Sequence, residues 1–177
     1  MVYQNEALHA SAIDTAERMC TAAITAPKAC GKDSVVVGYI CGDELESLAK
    51  AMEAGAEAGG KAAVIFPRDA ECVRKSEAVV LIGSKRIRRG LNPCGLCGLK
   101  DCSNNSELGG HCAFDDIDLG IAIGSAVSVA ADMRTDTRVM YTIGQAAMQQ
   151  KLLGEDVETI MGIPVSVRFK NPLFDRG

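Results

Sequence analysis

Four of the eight cysteines fall within nineteen positions, as Cys94, Cys97, Cys102 and Cys112 in the pattern C-x2-C-x4-C-x9-C. Thiolates at such spacing are ligands for zinc or for an iron–sulfur core. Gly95 and Gly98 give the C-x-x-C turn access to positive φ and leave backbone N–H groups free to face sulfur. Structural zinc normally takes two C-x2-C knuckles separated by a longer loop, and only the first pair here has knuckle spacing. Disulfides are uncommon in a reducing compartment. The expected occupant is therefore an iron–sulfur cluster of the four-iron (4Fe-4S) type, with four-cysteine zinc as the alternative. His111, beside Cys112, reads as a neighbour of the site and not as a ligand.

Just upstream runs Ser84-Lys-Arg-Ile-Arg-Arg-Gly90, a basic segment containing Arg86, Arg88 and Arg89. A four-iron core held by four thiolates is anionic, and an arginine ~8 Å away at an effective dielectric of ~20 favours an added electron by roughly 2 kcal/mol. Arg89 is the residue expected to act this way. The same segment also suits a cofactor phosphate or an acidic redox partner. Cys20, Cys41 and Cys72 are scattered and read as small buried hydrophobes. Cys30, between Lys28 and Lys32, is the one with a possible reactive role. His9 is expected on the surface, and Asp115-Asp116 read as helix caps. There is no serine elbow, H-E-x-x-H, P-loop or G-x-G-x-x-G.

The 177 residues suit one domain, 1–177, able to bury a core without metal. A net charge of -4 argues against nucleic acid as partner. Three Tyr, four Phe and no Trp offer few stacking surfaces. No basic stretch followed by an apolar one opens the chain, and no apolar run reaches ~18 residues, so a cytoplasmic protein without membrane spans is expected.

The elements that must position the cysteines follow from periodicity. Residues 6–25 have helical spacing and end before Pro27. Residues 35–41 form a continuous β-branched run, as in a strand buried on both faces. Asp43, with Glu46 three residues on, reads as the N-cap of a helix over 43–58, broken by Gly59-Gly60. A short helix is expected at 69–74, a strand at 78–82, helices at 117–133 and 137–153, and a last strand at 164–170. Residues 83–115 form a Cys-rich loop insertion of a length that is usually functional. Gly120, Gly124 and Ser128 make a small-residue ridge, suited to close internal packing or to a dimer seam.

The segment Thr25-Ala-Pro-Lys-Ala-Cys-Gly-Lys-Asp33, the C-G-x-C-G-x-x-x-C core and Asp118-Leu-Gly-Ile-Ala-Ile-Gly-Ser125 resemble a family of prokaryotic proteins described as containing a ferredoxin domain. That resemblance implies a 4Fe-4S cluster at Cys94, Cys97, Cys102 and Cys112. The element order is similar to that of the FMN-dependent nitroreductases. It implies an α+β fold, nitroreductase-like and layered, with a central mixed sheet, and a homodimer. In those enzymes polar residues after Ala-Pro contact flavin, whereas Lys28-Ala-Cys-Gly31 stands here. Lys28, Arg86 and Arg88 are the expected substitutes for FMN phosphate contacts. The function expected is cytosolic electron transfer to a redox partner protein or a small-molecule acceptor. A flavin-dependent reductase fed by the cluster, or a zinc-stabilised binding module, are the alternatives.

Overall fold

The computed structural model describes residue 1 and residues 3–174. Helix α1 (Gln4–Thr25) leads to strand β1 (Val35–Cys41), helices α2 (Asp43–Ala54) and α3 (Ala62–Arg74), and strand β2 (Ala78–Lys85). The Cys-rich segment then carries a short helix α4 (Cys102–Glu107) before the long α5 (Ala113–Asp132). Strand β3 (Asp136–Thr137), helix α6 (Tyr141–Gln149) and strand β4 (Val157–Ser166) complete the order. The four strands lie in the order β1-β2-β4-β3.

Strand β2 explains the layering. Its side chains alternate between two cores, and every position from Ala78 to Ser84 is buried. Ala78, Val80 and Ile82 face α1 and α5, where Met19, Leu119 and a run of alanines fill the space. Val79 and Leu81 face α2, α3 and α6, against Leu48, Met52, Phe66 and Ile143. A strand covered on both sides needs no polar face, which is why 78–82 reads as an unbroken apolar run. Among the described residues no helix is long and apolar enough to cross a membrane.

The α+β class holds, and the sheet is antiparallel at each of its ladders where a mixed one was expected. Helices α2 and α3 set the sense of the first ladder. The short helix expected at 69–74 is the end of a longer one, which holds Pro67 within it. Two full helices therefore separate β1 from β2. Each reverses the chain, so β2 runs back against β1, whereas a single crossover helix would have made the pair parallel.

Other boundaries moved for local reasons. Gly42, at φ 59°, is the N-cap of α2, and Asp43 already lies within the first turn beside Glu44 and Glu46. Glu46 binds Arg74 of α3 at 2.9 Å instead of closing a capping box. Helix α6 spans only part of the expected 137–153, because Asp136 and Thr137 pair with β4. Pro164 lies inside β4 opposite Val79, so the strand begins well before it.

Helix α6 crosses β4 at a glycine. A Cβ built on Gly144 meets the Ile160 carbonyl oxygen at 1.7 Å and its carbon at 2.5 Å. Backbone cannot yield as a flexible side chain can. Gly144→Ala is therefore expected to lower unfolding stability by about 3 kcal/mol, read by urea denaturation. An unchanged midpoint would show that α6 does not pack as described.

Candidate functional site

The chain leaves β2 at Lys85 and enters α5 at Ala113, and the four clustered cysteines lie between these fixed ends or on their edge. Gly98, at φ 80°, closes the C-x-x-C turn by donating its N–H to the Gly95 carbonyl at 2.9 Å. Cys102 opens α4, which is capped by Asp101 accepting the Asn104 N–H at 2.8 Å. Cys112 is the N-cap residue of α5, where the unpaired N–H groups of a 20-residue helix favour negative charge. All four cysteines, with Arg88, Asn105 and Phe114 among their neighbours, line one pocket. Cys112 is buried and the other three are half-buried, and all eight cysteines of the chain are free thiols.

Zinc requires four donors about 2.3 Å from one point. Among the described residues no three His, Cys, Asp or Glu side chains converge in that way. The corners of a four-iron cage stand further apart than the vertices around a single ion. The four cysteines share the lining of one pocket.

A buried charge cluster ties this segment to the rest of the fold. Arg89 reaches Asp115 at 3.0 Å and Asp118 at 2.5 Å, with all three side chains at most 2% exposed. Arg89 also donates to Ser34 Oγ at 3.0 Å. Asp115 accepts the Ile87 N–H at 3.2 Å, and Asp118 accepts the Ala29 N–H at 3.1 Å. Burial pushes the Asp115 carboxyl above its ordinary range, opposed by the Ile87 N–H and by Arg89. Burial works against the Arg89 charge, yet the hydrogen bond it donates to Asp118 and the charge of both carboxylates hold its pKa above the ordinary value.

Two expectations change here. Asp115 is not a cap: it lies in the first turn of α5 as a partner of Arg89. Arg89 is enclosed by two carboxylates that offset its charge, while Cys112 still lies within its electrostatic reach. Arg88, its neighbour, lines the pocket instead. Nothing in the sequence distinguishes these two arginines. Asn105, buried among the cysteines, is a second residue that sequence reasoning missed.

The three cations expected at a cofactor phosphate are each held by protein acceptors. Lys28 caps the end of α1 through the Ala23 carbonyl at 3.1 Å and the Ile24 carbonyl. Arg86 pairs with Glu158 at 2.5 Å. Arg88 binds Asn105 Oδ1 at 2.8 Å. His111 contacts Asp116 at 3.2 Å and, more distantly, Glu158 at 3.9 Å. Among the other cysteines, Cys20 is half-buried and burial pushes its thiol up to about 11. Cys72 is buried and likewise raised by burial, Cys41 is half-buried, and Cys30 is exposed at φ 58°. His9 is exposed, as expected.

Comparison with known proteins adds three findings. Residues 108–176 match the family described as "Uncharacterized protein containing a ferredoxin domain (DUF2148)", a stretch that includes Cys112 but not the other three clustered cysteines. A protein of Archaeoglobus fulgidus is 44% identical over 183 residues, covering 98% of this chain and 94% of its own length. Similar solved structures have the nitroreductase fold. A nitroreductase family protein of Clostridium novyi aligns at TM-score 0.57 and 17% identity over 92% of this chain and 76% of its own. A Desulfovibrio desulfuricans protein assigned as a nitroreductase and solved with FMN aligns at 0.59 and 13% identity over 89% of this chain and 75% of its own. At such identity the likeness establishes the fold alone.

The buried cluster makes a direct test of how the cysteine segment is anchored. Breaking a buried pair leaves an uncompensated charge, so Asp118→Asn is expected to cost about 3 kcal/mol of unfolding stability. Hydrogen exchange should show the Ala29 and Ile87 amides losing protection together. A variant as stable and as protected as the parent would remove the cluster from the account of the fold.

Proposed function

This chain belongs to the ferredoxin-domain family, and from that premise we propose that Cys94, Cys97, Cys102 and Cys112 hold a 4Fe-4S cluster in a cytosolic electron-transfer protein. The observation that carries the reading is the shared pocket: four free thiols line it. When bound, the cluster supplies one-electron chemistry. The protein's own residues supply its enclosure. Segment 83–115 serves as the cluster-bearing insertion, Phe114 and Leu99 wall the pocket with apolar surface, and Asn105 and Arg88 provide its polar side. Exposed Leu96 at the rim leaves an open side by which a redox partner protein or a small acceptor approaches.

A flavin-dependent reductase is the second reading, favoured by the shared fold. Lys28, Arg86 and Arg88 would each have to leave a protein acceptor to meet a flavin phosphate. Within one chain FMN therefore lacks a ready cradle. The zinc module is disfavoured by the sequence spacing, in which only Cys94 and Cys97 form a C-x2-C knuckle.

The homodimer expected from the sequence belongs to this proposal. The inner face of α5 packs through Ala122, Ala126 and Ala130. The small-residue ridge lies on the opposite side: nothing stands within 4 Å of a Cβ at Gly120 or Gly124, and Ile117, Ile121 and Ser128 are exposed. The ridge is thus not used for internal packing, and a second copy crossing there would bury it.

Two experiments test these statements. Protein reconstituted under argon with ferrous salt and sulfide is expected to turn brown, bind about four irons per chain and bleach with dithionite. Cys102→Ser should lose most of that iron. Colourless protein would defeat the cluster, stoichiometric zinc would favour the binding module, and added yellow flavin absorbance would favour the reductase. Light scattering is expected to give twice the chain mass, falling to one chain in Gly124→Arg. A monomeric parent would sink the dimer.

A further inference from the structure

Four cations crowd the start of the Cys-rich segment, and three are neutralised. Lys85 pairs with Asp156 at 2.8 Å, Arg86 with Glu158 at 2.5 Å, and Arg89 with Asp115 and Asp118. Arg88 differs. Its Nε donates to Asn105 Oδ1 at 2.8 Å, and its Nη2 lies 3.4 Å from the Asn105 carbonyl oxygen and 3.3 Å from that of Gly110. Each of these acceptors is neutral, so the guanidinium keeps its full charge. It is the only cation lining the cysteine pocket among the described residues.

Asn105 fixes where that charge sits. The side chain is 2% exposed. Its amide nitrogen donates to the His111 carbonyl at 2.9 Å, which orients the amide oxygen toward Arg88. Its own carbonyl accepts the Gly110 N–H at 2.7 Å. One residue thus joins α4, which begins at Cys102, to the strand of chain that delivers Cys112, and both to Arg88. Turning Asn105 away would leave buried donors and acceptors unpaired, so a single arrangement is favoured.

We propose that Arg88 is the counter-charge of the cysteine pocket and that Asn105 is the positioning residue that holds it there. The inference rests on the cluster reading and names the residues that set its redox balance. A positive charge beside an anionic core stabilises the form carrying one more electron. A half-buried guanidinium is screened less than an exposed one. Losing it makes the reduced form harder to reach.

The test is a potentiometric titration of the reconstituted holoprotein under argon. Arg88→Gln is expected to shift the reduction equilibrium about tenfold toward the oxidised form, a midpoint about 59 mV more negative for one electron. Arg88→Lys keeps the charge without the fork and should retain most of the parent midpoint. Asn105→Asp keeps the acceptor for Arg88 but adds a negative charge. It should move the midpoint in the negative direction with Arg88 still present. A parent-like midpoint in Arg88→Gln overturns the assignment. If Arg88→Gln cannot hold the cluster, the other two variants decide. Parent-like potential in Asn105→Asp, or loss of the cluster in both, overturns it in favour of a purely structural role. A parent protein that takes up no iron fails earlier, and that failure belongs to the cluster reading itself.

Discussion

The arrangement of the cysteine segment depends on one buried arginine between two buried carboxylates. Arg89, Asp115 and Asp118 come from parts of the chain that no local force brings together: the exit from β2, and the first turns of α5. Through Ala29 and Ser34 the same cluster also seizes the turn after α1. Such a group gains little net stability over a well-packed apolar one, because each charge loses its hydration. What it contributes is exclusivity. Any other placement of the segment strands a charge in the interior.

Helix α5 shows how one element serves several demands at once. Its N-cap is Cys112, its first turns carry the two carboxylates, and its inner face is a ridge of alanines against α1. Alanine on both helices allows close approach, reinforced where Ser125 Oγ donates to the Ala22 carbonyl at 3.0 Å. The outer face is left smooth and apolar. The cysteine pocket lies at the N-terminal end of this helix, so a partner seated on the outer face would also lie near the pocket rim formed by Phe114.

Elements governed by local or layer-wide forces were legible in the sequence. The run 35–41 announced a strand, and one lies there with the same limits, although it is an edge strand half-buried over most of its length and not covered on both faces as expected. Helix α1 followed from its spacing and from Pro27. What escaped was set by distant partners. Asp115 looks like a cap until Arg89, 26 positions earlier, is seen to bind it. The first turns of α3 were not read as helix, and the sheet was expected to be mixed where its ladders are antiparallel. The cysteine spacing pointed to one shared site. Arg88 and Arg89 could not be told apart, since successive residues of an irregular segment face opposite ways and only tertiary contacts say which faces the thiols.

The pocket's construction also bears on how tightly a cluster could be held. Fixing a flexible backbone costs about 1–2 kcal/mol per residue, a heavy charge on any ligand that must order its own loop. Here the ordering is borne by the protein. The segment is tied at its start by Arg89, in its middle by the Asp101 cap and Asn105, and at its end by α5. Ligand binding then has little left to organise beyond the turn from Cys94 to Cys97. That turn holds two of the four thiols and has only the Gly98–Gly95 hydrogen bond across it. The part of the site that is least restrained is thus the part nearest the exposed rim.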